Sequence, residues 1–179
     1  LYVQIPNKNK KIPVQTQIGK HQNGGEYQVE YTHTKTSNDA FSIEKLIKIL
    51  EIPDNAVRIN KKILSKKELA CLYKISDVLL AASKSEGFGI PILEAQSVGT
   101  PVITTKFLAM DDFTVNGVSV KPIQDSLNHY QLALWKMPSV DGIYEALDTI
   151  YNWNNIEKER FSKIGQHYIQ QEMSQDIIH

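Results

Sequence analysis

Apolar and polar positions alternate in a regular order along the middle of the chain. Ile43, Leu46, Ile47 and Leu50 fall at i, i+3, i+4 and i+7, the spacing of an amphipathic helix. "NAVRIN" (residues 55–60) then predicts a short strand. In "LSKKEL", Ser65 and Glu68 are spaced as a capping box, and Leu64 and Leu69 as the staple around it. Leu69, Leu72, Tyr73 and either Ile75 or Ser76 form the expected buried face of the helix that follows. "DVLLAAS" (Asp77–Ser83) is a continuous apolar run, the pattern of a strand covered on both faces. A helix is expected from about Pro91 to Val98, with Gly99 at a left-handed exit and Pro101 forbidding continuation. "PVITT" is a further buried strand, and "LYVQI" (Leu1–Ile5) another at the start. Strands that alternate with helices imply right-handed crossovers, so the expected fold is α/β, a Rossmann-like parallel sheet with helices on both faces.

The pattern loosens after Lys106. "FTVNGVSVKP" predicts a hairpin-like excursion with Asn116-Gly117 at its turn. "WKMPSVDGIYEALDTIYNW" predicts a loop and then a helix capped by Ser139, with Val140, Ile143, Tyr144, Leu147, Ile150 and Tyr151 as its stripe. A last helix is expected from about Asn155 to Met173, either packed locally or crossing to a partner domain. Pro6–Asp39 is polar. Its segments "VQTQI" and "YQVEY" flank "NGG", which fits a surface hairpin and a partly disordered loop equally. The expected organisation is a domain over residues 1–151, with a polar insertion at 6–39, followed by a helix and tail over 152–179. The chain opens abruptly on an apolar strand without Met, so an N-terminal truncation is expected.

Composition narrows the function classes. Lys+Arg and Asp+Glu both number 20 in 179 residues, and zero net charge argues against a dedicated nucleic-acid binder. No apolar run reaches the roughly 18 residues of a membrane helix, so a soluble, cytoplasmic protein is expected. Cys71, the single cysteine, rules out an internal disulfide and is expected as a half-buried filler. His21 and His33 lack a third ligand at metal spacing and are expected at the surface. The clusters "KNKK" and "KKILSKK" read as solvated surface. Trp135 and Trp153 are expected to pack under loops, and Asp111 and Asp112 to lie exposed in a loop.

The candidate chemistry lies in "SEGFGIPILEAQSVGTPVITT". Glu86 and Glu94 enclose a turn with Gly87 and Gly89, between a strand end and a helix. In an open parallel sheet, ligands bind beyond the carboxyl ends of the strands. Pro91 in the first helical turn costs no hydrogen bond. The amides of Phe88, Gly89 and Ile90 should point outward at the positive end of the helix dipole, an arrangement for phosphate or a polyhydroxyl group. Two carboxylates set apart along one cleft can accept hydrogen bonds from two vicinal diols, as on a sugar and a ribose joined by a diphosphate. A glutamate in a first helical turn is also simply favourable with the dipole. As a dinucleotide fingerprint the stretch fails, because Ile92 stands where a third glycine is required.

This stretch, with "ELACLYKISDVLLAAS" before it, resembles the C-terminal nucleotide-sugar-binding domain of retaining glycosyltransferases of the GT-B fold, family 4. The shared motif is a glutamate, seven residues and a second glutamate, set as E-G-F-G-x-P-x-x-E-A. The match spans about Val57 to Thr105 and continues less specifically to about Tyr151. The resemblance implies that Glu86 contacts the donor sugar nearest the reaction centre. Gly87, Phe88, Gly89 and Ile90 would line the sugar and diphosphate, and Glu94 would accept from the ribose hydroxyls. Ile63, Leu64 and Ser65 would lie beside the nucleobase. No metal and no cofactor beyond the nucleotide sugar is implied, and the acceptor would bind a separate N-terminal domain. That domain, and the upstream glycine loop whose Arg and Lys grip the diphosphate, have no counterpart in the sequence, and 6–39 is unmatched. This chain alone is therefore not expected to turn over. Two other readings stay open: a non-catalytic α/β module that binds a ligand or a protein, and a dinucleotide-dependent oxidoreductase without its fingerprint.

Overall fold

The computed structural model describes residues 16–20, 26–30, 47–53, 56–60, 63–128 and 133–173. Described residues up to Ile63 belong to one compact unit and those from Leu64 onward to another. In the first unit, β1 (Thr16–Lys20) and β2 (Glu26–Glu30) pair antiparallel, Thr16 opposite Glu30 and Lys20 opposite Glu26. The two described segments of the polar stretch pair as the hairpin reading expects. Residues 47–49 are helical, as the apolar spacing predicts. The strand expected at 55–60 shrinks to a single bridge at Asn60; Arg58 and Asn60 dilute a short run, and Asn is depleted in strands. Leu1–Ile5, His21 and His33 lie outside the described residues.

The second unit is built on a parallel sheet in the order β3 (Leu79–Ala81), β4 (Val102–Thr105), β5 (Val118–Val120). Helix α1 (Lys66–Ile75) leads into β3, and α2 (Ile90–Ser97) joins β3 to β4. The short α3 (Ala109–Phe113) lies between β4 and β5. Period-2 alternation along β4 divides the core. Val102 packs with Tyr73 of α1, Ile92 and Ala95 of α2, and Met110 of α3. Ile103 turns to the other face, against Val120 and against Ala146 and Ile150 of α4 (Val140–Tyr151). Helices thus cover both faces of a parallel sheet. The last helix, α5 (Asn155–Tyr168), is capped by Asn154 and ends in a π turn over Ile169–Met173. No helix among the described residues is long and apolar enough to cross a membrane.

Predicted boundary chemistry is present where it matters. Ser65 and Glu68 form the capping box, Gly99 leaves α2 at φ +87°, and the Ser139 hydroxyl accepts from the Gly142 amide at 3.0 Å. Several expectations are overturned. Cys71 is exposed; it lies two residues, about 200° of helix rotation, from the buried Tyr73. Of the alternatives Ile75 and Ser76 it is Ser76 that is half-buried, Ile75 being 80% exposed. "NGVSV" is no hairpin turn but the approach to β5. A Cβ on Gly117 would stand 1.8 Å from the Val102 carbonyl oxygen, so the glycine serves a close approach between backbones. Asp111 and Asp112 lie in α3, not in a loop, and Asp111 accepts the Ser119 hydroxyl at 2.6 Å. "WKMP" belongs to a strand: β6 (Pro122–Asn128) and β7 (Ala133–Pro138) form an antiparallel hairpin. Trp135 is therefore part of this hairpin. Trp153 stacks on Phe161 with ring centres 4.2 Å apart.

The stripe of α4 also differs from expectation. Val140, Tyr144 and Tyr151 are exposed, while Ala146 and Ile150 are buried. A Cβ on Gly142 would lie 2.7 Å from Val120 Cγ1. The helix comes close to β5 at Gly142 and Ala146, while Ile143 and Ile150 of the expected stripe still pack on the core and Val140, Tyr144 and Tyr151 do not.

Candidate functional site

The site lies where β3 ends and α2 begins. Beyond Ala81 the chain runs over the carboxyl edge of the sheet, and its carbonyls are held from neighbouring segments. The Thr105 hydroxyl donates to the Ser83 carbonyl at 2.6 Å, and the Lys136 amide donates to the Lys84 carbonyl at 2.9 Å. Gly89 then takes φ +81°, ψ +43° and starts α2 without a side-chain cap. A left-handed residue at this point suits glycine. Pro91 follows in the first turn, and its missing N–H would have had no partner there.

This local structure leaves donors exposed. The N–H groups of Phe88, Gly89 and Ile90 have no protein acceptor among the described residues. They stand at the positive end of an eight-residue helix. Glu86 and Glu94 are both exposed, one before the helix and one in its second turn. The Tyr73 hydroxyl reaches the Glu94 carboxylate at 3.4 Å, the long end of hydrogen bonding. Phe88 is 45% exposed and meets Phe113 edge-on, with ring centres 5.0 Å apart. The geometry is a row of amide donors with a carboxylate on either side along the chain. It can hold an anionic group at the amides and accept hydroxyl hydrogen bonds at the carboxylates.

Glycines 87 and 89 differ. Gly89 is buried, and a Cβ there would come within 2.9 Å of Ile92 Cδ1. Gly87 lies outside the left-handed range, and a Cβ there would meet nothing within 4 Å. Neither the turn nor the packing of the chain requires a glycine at 87.

The helix is anchored from behind. Ile92, Leu93, Ala95 and Gln96 are buried. The Gln96 side chain donates to the Phe113 carbonyl at 2.8 Å and accepts from the Val115 and Asn116 amides at 3.0 and 3.3 Å. Tyr73, Gln96, Phe113, Lys84 and Trp135 all support the site; the sequence alone raises only Trp135 for it, as the lesser alternative to packing under a loop. Their contacts bridge segments far apart in the chain, which periodicity does not register.

The other candidates are placed differently. Ile63 falls in the first unit, and Leu64 and Ser65 open the second. The Ser65 hydroxyl is committed to α1, donating to Glu68 Oε2 at 2.6 Å and accepting from the Glu68 amide at 3.3 Å. Among the described residues, no group of three or more His, Cys, Asp or Glu side chains is placed to hold a metal ion.

The family described as "Glycosyl transferases group 1" matches residues 36–163, which include the whole of this site. The chain belongs to that family. Within it, the chain is 35% identical over 71 residues to a D-inositol 3-phosphate glycosyltransferase of Pseudarthrobacter chlorophenolicus, covering 40% of this chain and 16% of that protein. It is 31% identical over 117 residues to the O-antigen chain mannosyltransferase RfbU of Salmonella typhimurium, covering 65% of this chain and 30% of that protein. The chain thus spans less than a third of the length of these curated relatives. The glycosyltransferase group 1 domain also shares its fold with a solved structure, the C-terminal domain of a group 1 family protein (LpcC) from Francisella tularensis. That likeness has a TM-score of 0.53 at 22% identity, over 72% of this chain and 59% of the other.

Proposed function

We propose that this chain is the donor-binding part of a retaining glycosyltransferase of family 4, and that Ser85–Glu94 holds a nucleotide diphosphate sugar. The observation that carries this reading is the row of unpaired amides at Phe88, Gly89 and Ile90 between two exposed carboxylates. The amides receive the diphosphate, where fixed dipoles stabilise the charge that grows as the sugar departs. Glu86, with Gly87 beside it, contacts the sugar hydroxyls nearest the reaction centre. Glu94 accepts from the ribose hydroxyls. The two glutamates and the seven residues between them act as the family's paired-glutamate motif. Retention follows from a front-face departure in which the diphosphate assists the acceptor. An acceptor site and cations for the diphosphate are needed as well, so the 179 residues bind donor without transferring it.

The test is calorimetric titration of the chain with UDP, GDP, ADP and NAD, beside a Glu94→Ala variant. One nucleoside diphosphate should bind preferentially. The variant should bind it about tenfold or more weakly, the effect of removing one charged hydrogen bond of about 1.5–3 kcal/mol. Absence of saturable diphosphate binding at millimolar concentration, or a preference for NAD, would sink the reading.

A further inference from the structure

The β6–β7 hairpin reaches back to the loop that carries Glu86. The Lys136 amide binds the Lys84 carbonyl at 2.9 Å, and the Lys84 ammonium stands 5.2 Å from the centre of the Trp135 ring. The hairpin is itself braced. The Lys136 ammonium pairs at 2.5 Å with Asp125, its direct cross-strand partner. It also lies 5.6 Å from the ring centre of Phe107, in the loop after β4. Beyond Gly87 the chain is held again: Phe88 packs on Phe113, and the Gly89 carbonyl accepts from the Ile92 amide at 2.9 Å. Ser85, Glu86 and Gly87 bridge these two fixed ends, with no hydrogen bond of their own to the described residues. Where Lys84 is pinned therefore sets the path of Glu86.

We infer that Trp135 is a positioning residue for Glu86, acting through Lys84. The backbone tie at Lys136 fixes the height of the loop, and the indole face fixes the direction of the Lys84 side chain. The inference rests on the reading of Glu86 as a donor-site carboxylate, but its physical content, a tether on residues 84–87, can be measured without any ligand.

The experiment is ¹⁵N relaxation on the full chain as wild type, Trp135→Ala, Trp135→Phe, Lys84→Met and the Lys84→Met/Trp135→Ala double variant. Order parameters of Ser85, Glu86 and Gly87 should fall from about 0.85 to below about 0.6 in Trp135→Ala and in Lys84→Met. Trp135→Phe, which keeps an aromatic face for the cation, should restore them. The double variant should lose no more than either single one, and Val102–Thr105 should be unchanged throughout. Should Trp135→Ala fail to fold, Lys84→Met decides, since it leaves the hairpin intact. In parallel, the dissociation constant for the tightest-binding of UDP, GDP and ADP should rise about threefold in Trp135→Ala, the scale of one exposed cation–π contact, and recover in Trp135→Phe. Unchanged order parameters at 85–87 overturn the tether. Changed order parameters with unchanged affinity overturn its link to the ligand. A wild type that binds no diphosphate defeats the donor reading instead, and the relaxation data still judge the tether.

Discussion

Gly87→Ala should stabilise the free protein and weaken its ligand complex, an opposition of signs that few surface substitutions produce. A Cβ at this position meets nothing within 4 Å, and the residue lies outside the left-handed region. The folded chain therefore accepts the methyl without strain. The unfolded chain loses conformational freedom, which gives a gain of about 0.4–1 kcal/mol. For a chain of this size that corresponds to a rise in Tm of about 1–4 °C. The ligand arithmetic runs the other way. If a diphosphate or sugar is seated on the amides just beyond, the methyl takes space the ligand needs, and a loss of about 1.4 kcal/mol is tenfold in Kd. Gly89→Ala is the internal contrast. Its φ of +81° costs a non-glycine residue about 1–2 kcal/mol, and the new Cβ meets Ile92 Cδ1 at 2.9 Å. That variant should lose both stability and affinity. Thermal unfolding followed by circular dichroism, without ligand, reads the first quantity; calorimetry with the preferred nucleoside diphosphate reads the second. A Gly87→Ala protein that binds as tightly as wild type would refute the placement of the ligand beside Gly87. A lowered Tm would refute the claim that the chain itself has no use for this glycine.

Two further outcomes are expected. Gln96→Leu removes the partner of the Phe113 carbonyl and of two amides in the crossover to β5. At about 1–3 kcal/mol for each group left unpaired, three groups bound the loss at about 3–9 kcal/mol. Because Phe113 and Val115 are only half-buried, it should fall at the low end, about 3–5 kcal/mol in urea unfolding; a loss under 1 kcal/mol would show that the crossover is held by other means. Tyr168 has its phenol pKa raised above 10.0, first by burial and then by Glu172 and Asp112. A raised folded value gives stability that is present below the unfolded pKa and is lost as pH rises through the folded one. Unfolding titrations between about pH 9 and 12 should therefore show an alkaline loss in wild type that is smaller in Tyr168→Phe; identical profiles would remove Tyr168 as its source.

The stretch from Ser65 to Thr105 was legible because chemistry marks each of its boundaries: the Ser65–Glu68 box, the apolar run into β3, the left-handed Gly99 and the Pro101 that follows. Beyond Lys106 the same local signals carry different causes. Asn-Gly is a strong hairpin signal, but here Asn116 is buried and donates to the Thr100 carbonyl at 3.1 Å, while Gly117 lies against the backbone of β4. The β6–β7 hairpin escapes notice because its register shifts between Pro122 and Gln124 and breaks the period of two. On α4, the stripe of large apolar residues finds Ile143 and Ile150 but is drawn too wide at Val140, Tyr144 and Tyr151, and it misses Gly142 and Ala146, where the sheet comes close. At the site, the paired glutamates and glycines stand out within a single stretch. Tyr73 beside Glu94 and Trp135 beside Lys84 are contacts made only by the fold.

These long-range contacts explain why so small a helix can serve as a binding platform. Eight residues are too few for α2 to be stable alone. Its buried face and Gln96 fix it to the core, and Gly99 and Gly165 let α5 pack closely behind it: a Cβ on Gly99 would stand 2.1 Å from Ser162 Oγ, and one on Gly165 2.4 Å from Asn116 Nδ2. Held this way, its N-terminal amides cannot turn inward to find partners, and the donors at Phe88, Gly89 and Ile90 remain presented at the sheet edge. A ligand that binds them meets dipoles already oriented, so little of its binding free energy is lost to ordering the protein. The segment left without hydrogen bonds is Ser85–Gly87, the part that includes Glu86. Its position is then set by its two ends, the pinned Lys84 on one side and Phe88 against Phe113 on the other.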